Sequence, residues 1–130
     1  MTILVAYVPR PEGLSALEKS ISLAKERDEN LIVVNVTSGA VGEDSSHADA
    51  QDVERVEQML SVSGIKFEFK HFFSGQNTVD VLEGLVASQN VSMLVIGLRK
   101  RSAIGKMIMG SMAHEILMTI SCPILAIKAE

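Results

Sequence analysis

Gly97, Arg99, Lys100, Arg101, Lys106, Gly110 and Ser111 fall within one stretch, GLRKRSAIGKMIMGS, that contains no acid. Glycine at each end and four cations between is a pattern suited to holding an anion. A glycine lets the main chain come close to a ligand. Main-chain N–H groups at a helix start, with a serine hydroxyl beside them, donate to phosphate oxygens. The charge is also segregated. The chain has 12 basic and 16 acidic residues and a net charge of -4, so this stretch is a +4 loop on a -8 body. Positive charge focused in this way attracts phosphate.

Such a loop needs a strand before it and a helix after it. Met93, Leu94, Val95 and Ile96 form an apolar run that reads as a buried strand, and residues 112–120 carry a helical pattern,. The rest of the chain alternates in the same way. Residues 3–8 read as a strand buried on both faces and stopped by Pro9 and Pro11,. A helix is expected over 14–27, with Leu14, Leu17, Ile21 and Ala24 on one stripe,. A second buried strand spans 31–36, and a loop with Gly39 and Gly42 follows. The next helix covers 48–63, its stripe being Val53, Val56 and Leu60, with Gly64 placed to end it,. In 66–73, Lys66, Glu68 and Lys70 alternate with Phe67, Phe69 and His71, which describes a strand with one wet face at a sheet edge,. A helix over 78–88 buries Val79, Leu82 and Val86, and a last apolar strand runs over 124–128. Five strands alternating with four helices predict an α/β domain with a parallel sheet and right-handed crossovers, one domain over 1–130.

The loop resembles the phosphate-binding signature of the universal stress protein family: Gly, two residues, Gly, nine residues, then Gly-Ser or Gly-Thr. Gly97 is the first glycine, Lys100 stands at the second, and Gly110 and Ser111 close the motif. The opening MTILVAYV, the strand LIVVNV and the ending SCPILAIK resemble family segments in matching order, so the likeness covers the whole chain. The resemblance implies strand order 3-2-1-4-5 with helices on both faces, an architecture of the adenine-nucleotide alpha-hydrolase-like type. The switch point then lies between the first and fourth strands, where open α/β sheets bind ligands. By resemblance, Gly97, Arg99, Lys100, Gly110, Ser111 and Met112 surround the phosphates and ribose of an adenine nucleotide, ATP or AMP. Val36 meets the adenine, and Ala6 and Tyr7 border the crevice. Mg²⁺ is a candidate companion of the phosphates, with Glu115 a candidate carboxylate near it. The last strand, Ile124 to Lys128, is apolar on both faces, and family members commonly cover it by forming a homodimer. The expected role is that of a cytoplasmic stress-response sensor or regulator.

Two positions depart from the family pattern. Val8 stands where nucleotide-binding members usually carry an aspartate, and Lys100 replaces a glycine. They favour a rival expectation, a homodimeric family member that binds no nucleotide and acts through protein contacts. A third class, an adenylating or nucleotidyl-transferring enzyme, needs a phosphate motif after the first strand that Tyr7-Val8-Pro9-Arg10 does not supply.

No catalytic set is legible, so an enzyme is not expected beyond slow ATP hydrolysis. Gly105-Lys106 is followed by Met107 and is not a Walker A loop,. His47, His71 and His114 show no ligand spacing and read as surface histidines, with no metal expected,. His114, near the start of its helix, is a secondary candidate for phosphate. The acidic balance argues against nucleic acid as a partner. No apolar run reaches the roughly 20 residues a bilayer requires, so no membrane is expected. The one cysteine, Cys122, reads as a small buried hydrophobe,. Met107, Met109, Met112 and Met118 read as core and interface filler.

Overall fold

The computed structural model describes residues 1–37, 47–72, 77–98 and 109–129. Its elements run in the order β1 (Thr2–Ala6), α1 (Pro11–Arg27), β2 (Asn30–Val36), α2 (Ala50–Ser63), β3 (Phe67–Phe72), α3 (Thr78–Ser88), β4 (Val91–Leu98), α4 (Ser111–Thr119) and β5 (Ile124–Lys128). The strands form one parallel sheet in the order β3-β2-β1-β4-β5. This is the expected architecture, with β3 at one edge and β5 at the other.

The alternating faces of the central strands make two cores. Ile3, Val5, Leu31, Val33 and Val95 are buried together with Ala16, Leu17 and Ala24 of α1 and Val56 and Leu60 of α2. Leu4, Ile32, Val34, Leu94 and Ile96 face the other way, against Val79 and Leu82 of α3 and Ile116 of α4. Burial on both faces is why the central strands are continuous apolar runs rather than alternating ones.

Local chemistry sets the ends of the helices. Pro11 suits the first turn of α1, where a missing N–H costs nothing,. It brings the start of α1 forward from the expected residue 14. Asp49 and Asp52 close a reciprocal capping box on α2, and Asn77 caps α3 by accepting from the Asp80 N–H,. Gly64 ends α2 at φ 78°, a left-handed position that glycine takes without a steric penalty,.

Two strands, β1 and β4, leave the sheet at other residues than expected. β1 stops at Ala6 rather than at residue 8, because the chain turns at Val8, whose carbonyl accepts from the Arg10 N–H at 2.8 Å. β4 runs to Leu98 instead of ending at Ile96, since pairing with β5 continues through Gly97 opposite Ile127 and Leu98 opposite Lys128.

Candidate functional site at the carboxyl edge

In a parallel sheet every connecting helix starts from the carboxyl edge, so α1 follows the end of β1 and α4 follows the end of β4 in the chain,. β1 pairs with β2 on one side and β4 on the other, with Val5 opposite both Val33 and Val95. The chain leaves these neighbours in opposite directions, which opens the switch-point crevice.

The expected site residues separate by role. Ala6 ends β1 half-buried, and Val36 ends β2 buried in the second core. Tyr7 is buried, its ring edge-to-face with Phe69 at 6.5 Å, and burial pushes its hydroxyl pKa up, with Asp52 adding to the effect. Its side chain is therefore core, and its carbonyl accepts from Asn35 Nδ2 at 3.0 Å.

Gly97 lies inside β4, where a Cβ would stand 2.2 Å from the Glu12 carbonyl oxygen. The first turn of α1 thus rests directly on this residue, which gives Gly97 a packing role beside any ligand role. Gly13 is equally confined, its missing Cβ facing the Val8 oxygen at 1.9 Å. The β1–α1 turn is closed on itself.

Gly110 is the N-cap of α4 at φ -71° and ψ 162°, with no side-chain cap. Ser111 opens the helix, exposed, and Met112 follows at 47% exposure. No acid stands in the first turn of α4. Its leading N–H groups form a partial positive charge that carries no carboxylate from their own turn. Arg99, Lys100, Arg101 and Lys106 lie outside the described residues.

Sequence reasoning missed three features of this edge. Glu12, at 6% exposure, is ion-paired with Arg10, whose Nε stands 3.1 Å from the carboxylate. Asn35 is fully buried in β2, donating to the Tyr7 carbonyl and accepting from the Ala48 N–H at 3.1 Å. It ties the end of β1 to the approach of α2. A lone asparagine in an apolar strand was the available signal.

The third feature corrects the reading of scattered histidines. His47 Nδ1 and His71 Nε2 both face the Thr37 hydroxyl, at 3.0 and 3.4 Å, and their rings lie 5.2 Å apart. Desolvation first, and the charge of His47 second, hold the His71 pKa below its usual value. No spacing could show this, because β2–β3 pairing joins residues distant in sequence. The methionine reading also changes: Met109, Met112 and Met118 are exposed rather than core. Met107 lies outside the described residues. Cys122 is half-buried against the second core, and burial raises its thiol pKa.

The universal stress protein family model matches residues 1–128. The chain belongs to the universal stress protein family. It is similar to a universal stress protein of Mycolicibacterium smegmatis, 36% identical over 126 residues, 97% of this chain and 96% of that one. Its fold is similar to that of a universal stress protein in complex with cAMP, at TM-score 0.74 and 14% identity, covering 100% of this chain and 98% of that one. It is also similar to the Archaeoglobus fulgidus universal stress protein in complex with dAMP, at TM-score 0.68 and 15% identity, covering 98% and 96%. Among the described residues no helix is long and apolar enough to cross a membrane.

Proposed function

We propose that this universal stress protein binds an adenine nucleotide, ATP or AMP, at the β1–β4 crevice and works in the cytoplasm as a sensor or regulator rather than as an enzyme. The observation that carries the reading is the start of α4. Gly110 and Ser111 present free helix N–H groups at the carboxyl edge, with no acid in that turn, at the end of a loop whose sequence holds four cations,. Relatives of the same fold solved with dAMP and cAMP support the same ligand class. In this reading Gly110, Ser111 and Met112 hold the phosphate and ribose end together with Gly97, Arg99 and Lys100. Ala6 and Val36 border the base, and Tyr7 acts through its main chain. Mg²⁺ accompanies the phosphates of ATP.

The dihedral angles of Gly110 make the test clean. φ -71° with ψ 162° is open to every residue, so its dihedral angles do not require glycine there,. Gly110→Val is expected to fold with native stability and lose nucleotide binding by at least about tenfold, or ~1.4 kcal/mol. Calorimetry with ATP, ADP, AMP and cAMP, with and without Mg²⁺, measures it. Unchanged affinity in the folded variant would sink the assignment.

A second reading is favoured by the exposed apolar residues Met109, Met112, Leu117 and Met118. Here the single domain forms a homodimer through the edge strand β5, Ile124–Lys128, and acts through protein contacts without a nucleotide,. Absence of heat with every nucleotide, from a chain that sediments as a dimer, would favour it.

A further inference from the structure

The histidine cluster at the ends of β2 and β3 is centred on Thr37, the residue after Val36, and none of its members is assigned to the proposed nucleotide site. Thr37 follows β2 and is fixed there by its N–H, which donates to the Phe72 carbonyl at 2.9 Å. His71 belongs to β3, paired with Asn35 in the sheet register. His47 precedes α2, next to Ala48, whose N–H is held by Asn35. Three separately anchored pieces of main chain therefore converge. They bring two imidazole nitrogens to one hydroxyl oxygen. That hydroxyl has one proton, so it can donate to only one of them.

We propose that His47 and His71 form a two-imidazole site for a divalent transition-metal ion of the zinc class, open to solvent. Two imidazoles bound to one zinc at about 2.0–2.1 Å and a tetrahedral angle have ring centres roughly 5 Å apart. The rings here are 5.2 Å apart, tilted by 34°, with a nitrogen of each turned toward the same point. Bringing the nitrogens onto an ion thus needs ring rotation rather than movement of the sheet. His47 is exposed and His71 half-buried, which leaves a solvent path to the site.

The described residues supply no group of three or more His, Cys, Asp or Glu. Among the described residues, the remaining positions fall to water and to the neutral Thr37 hydroxyl. Asp49 is close enough to feel the charge of His47, but its carboxylate is committed to the α2 cap, accepting from the Asp52 N–H at 2.9 Å. Two neutral nitrogens and water select Zn²⁺, Cu²⁺ or Ni²⁺ over Mg²⁺ and Ca²⁺, which prefer oxygen. The site is therefore distinct in chemistry from any magnesium accompanying a nucleotide.

Zinc chloride titrated into the metal-free full chain by calorimetry, in a non-coordinating buffer near neutral pH and without nucleotide, tests the proposal. One equivalent is expected to bind. His47→Ala and His71→Asn are each expected to weaken binding at least about tenfold, and His114→Ala to leave it unchanged. Cobalt in place of zinc is expected to give visible absorption that disappears in the same two variants. His47 is exposed, so its variant should keep the fold, and circular dichroism of both variants checks this. Absence of zinc binding up to about 1 mM would overturn the proposal. So would affinity unchanged in both variants, or loss in His71→Asn with none in His47→Ala. Because nucleotide is absent, failure here leaves the nucleotide reading untouched.

Discussion

Gly97→Ala separates two meanings of a motif glycine. A Cβ at this position would lie 2.2 Å from the Glu12 carbonyl oxygen, 2.6 Å from its carbon and 3.1 Å from its Cβ. The two nearest atoms are main chain, in the first turn of α1, and that turn is held by the closed connection from Val8 to Gly13. Relief requires α1 and β4 to separate by about 1 Å, at the upper end of overpacking costs, about 3 kcal/mol. With a urea slope of about 1.5 kcal/mol per molar, the unfolding midpoint should fall by roughly 2 M. Gly84→Ala is the control. Nothing lies within 4 Å of its Cβ position, and it sits in the interior of α3, so stability should rise by about 0.5–1 kcal/mol and the midpoint with it,. Truncating Glu12 to alanine in the Gly97→Ala background should not restore the loss, because main-chain atoms remain in the way. An unchanged midpoint for Gly97→Ala, with nucleotide affinity lost, would refute the packing account and make Gly97 a ligand glycine alone.

Asn35→Ala strands the Tyr7 carbonyl and the Ala48 N–H in a buried place, and urea unfolding should show a loss of about 3 kcal/mol,; a loss under about 1 kcal/mol would show that water replaces both bonds. The lowered pKa of His71 means that the unfolded chain binds its proton first on acidification,. In metal-free buffer the stability contribution is complete above the ordinary histidine value of about 6.5; it declines as the pH falls from there to the folded value and then levels off. His71→Gln should flatten that part of the pH–stability curve, and an unchanged curve would show that His71 titrates normally. Cys122, half-buried with a raised thiol pKa, should react with an aromatic disulfide reagent at least about tenfold faster in urea than in the native state,. Equal rates would mean that the thiol is open.

The fold was legible because its determinants are local. Leu31, Ile32, Val33 and Val34 mark a strand buried on both faces, and Lys66, Glu68 and Lys70 mark an edge. Gly64 ends α2 as its position suggested. Strand ends were less legible, since they depend on partners. β4 continues through Gly97 and Leu98 only because β5 lies alongside. At the site, the charge segregation and the serine at a helix start could be read directly. The Tyr7 ring could not be assigned, because a residue just past a strand can turn to a core or to a crevice. Its burial against Phe69 depends on β3 and α2. The pairing of His47 with His71 and of Glu12 with Gly97 is set by topology, which spacing along the chain does not encode.

The two motif glycines then carry different information despite sharing one sequence signature. Gly97 is explained without a ligand: the α1 backbone fills the space that its side chain would take. Gly110 has no such explanation from its dihedral angles, which suit any residue. Under the proposed function, what approaches Gly110 is the phosphate of the ligand, drawn to a helix start bare of acids,. The weight of the nucleotide reading therefore rests on the Gly110 end of the loop. There substitution is expected to perturb binding with the least disturbance to the fold. At Gly97 a loss of binding would be inseparable from a displaced α1 unless stability were measured beside it.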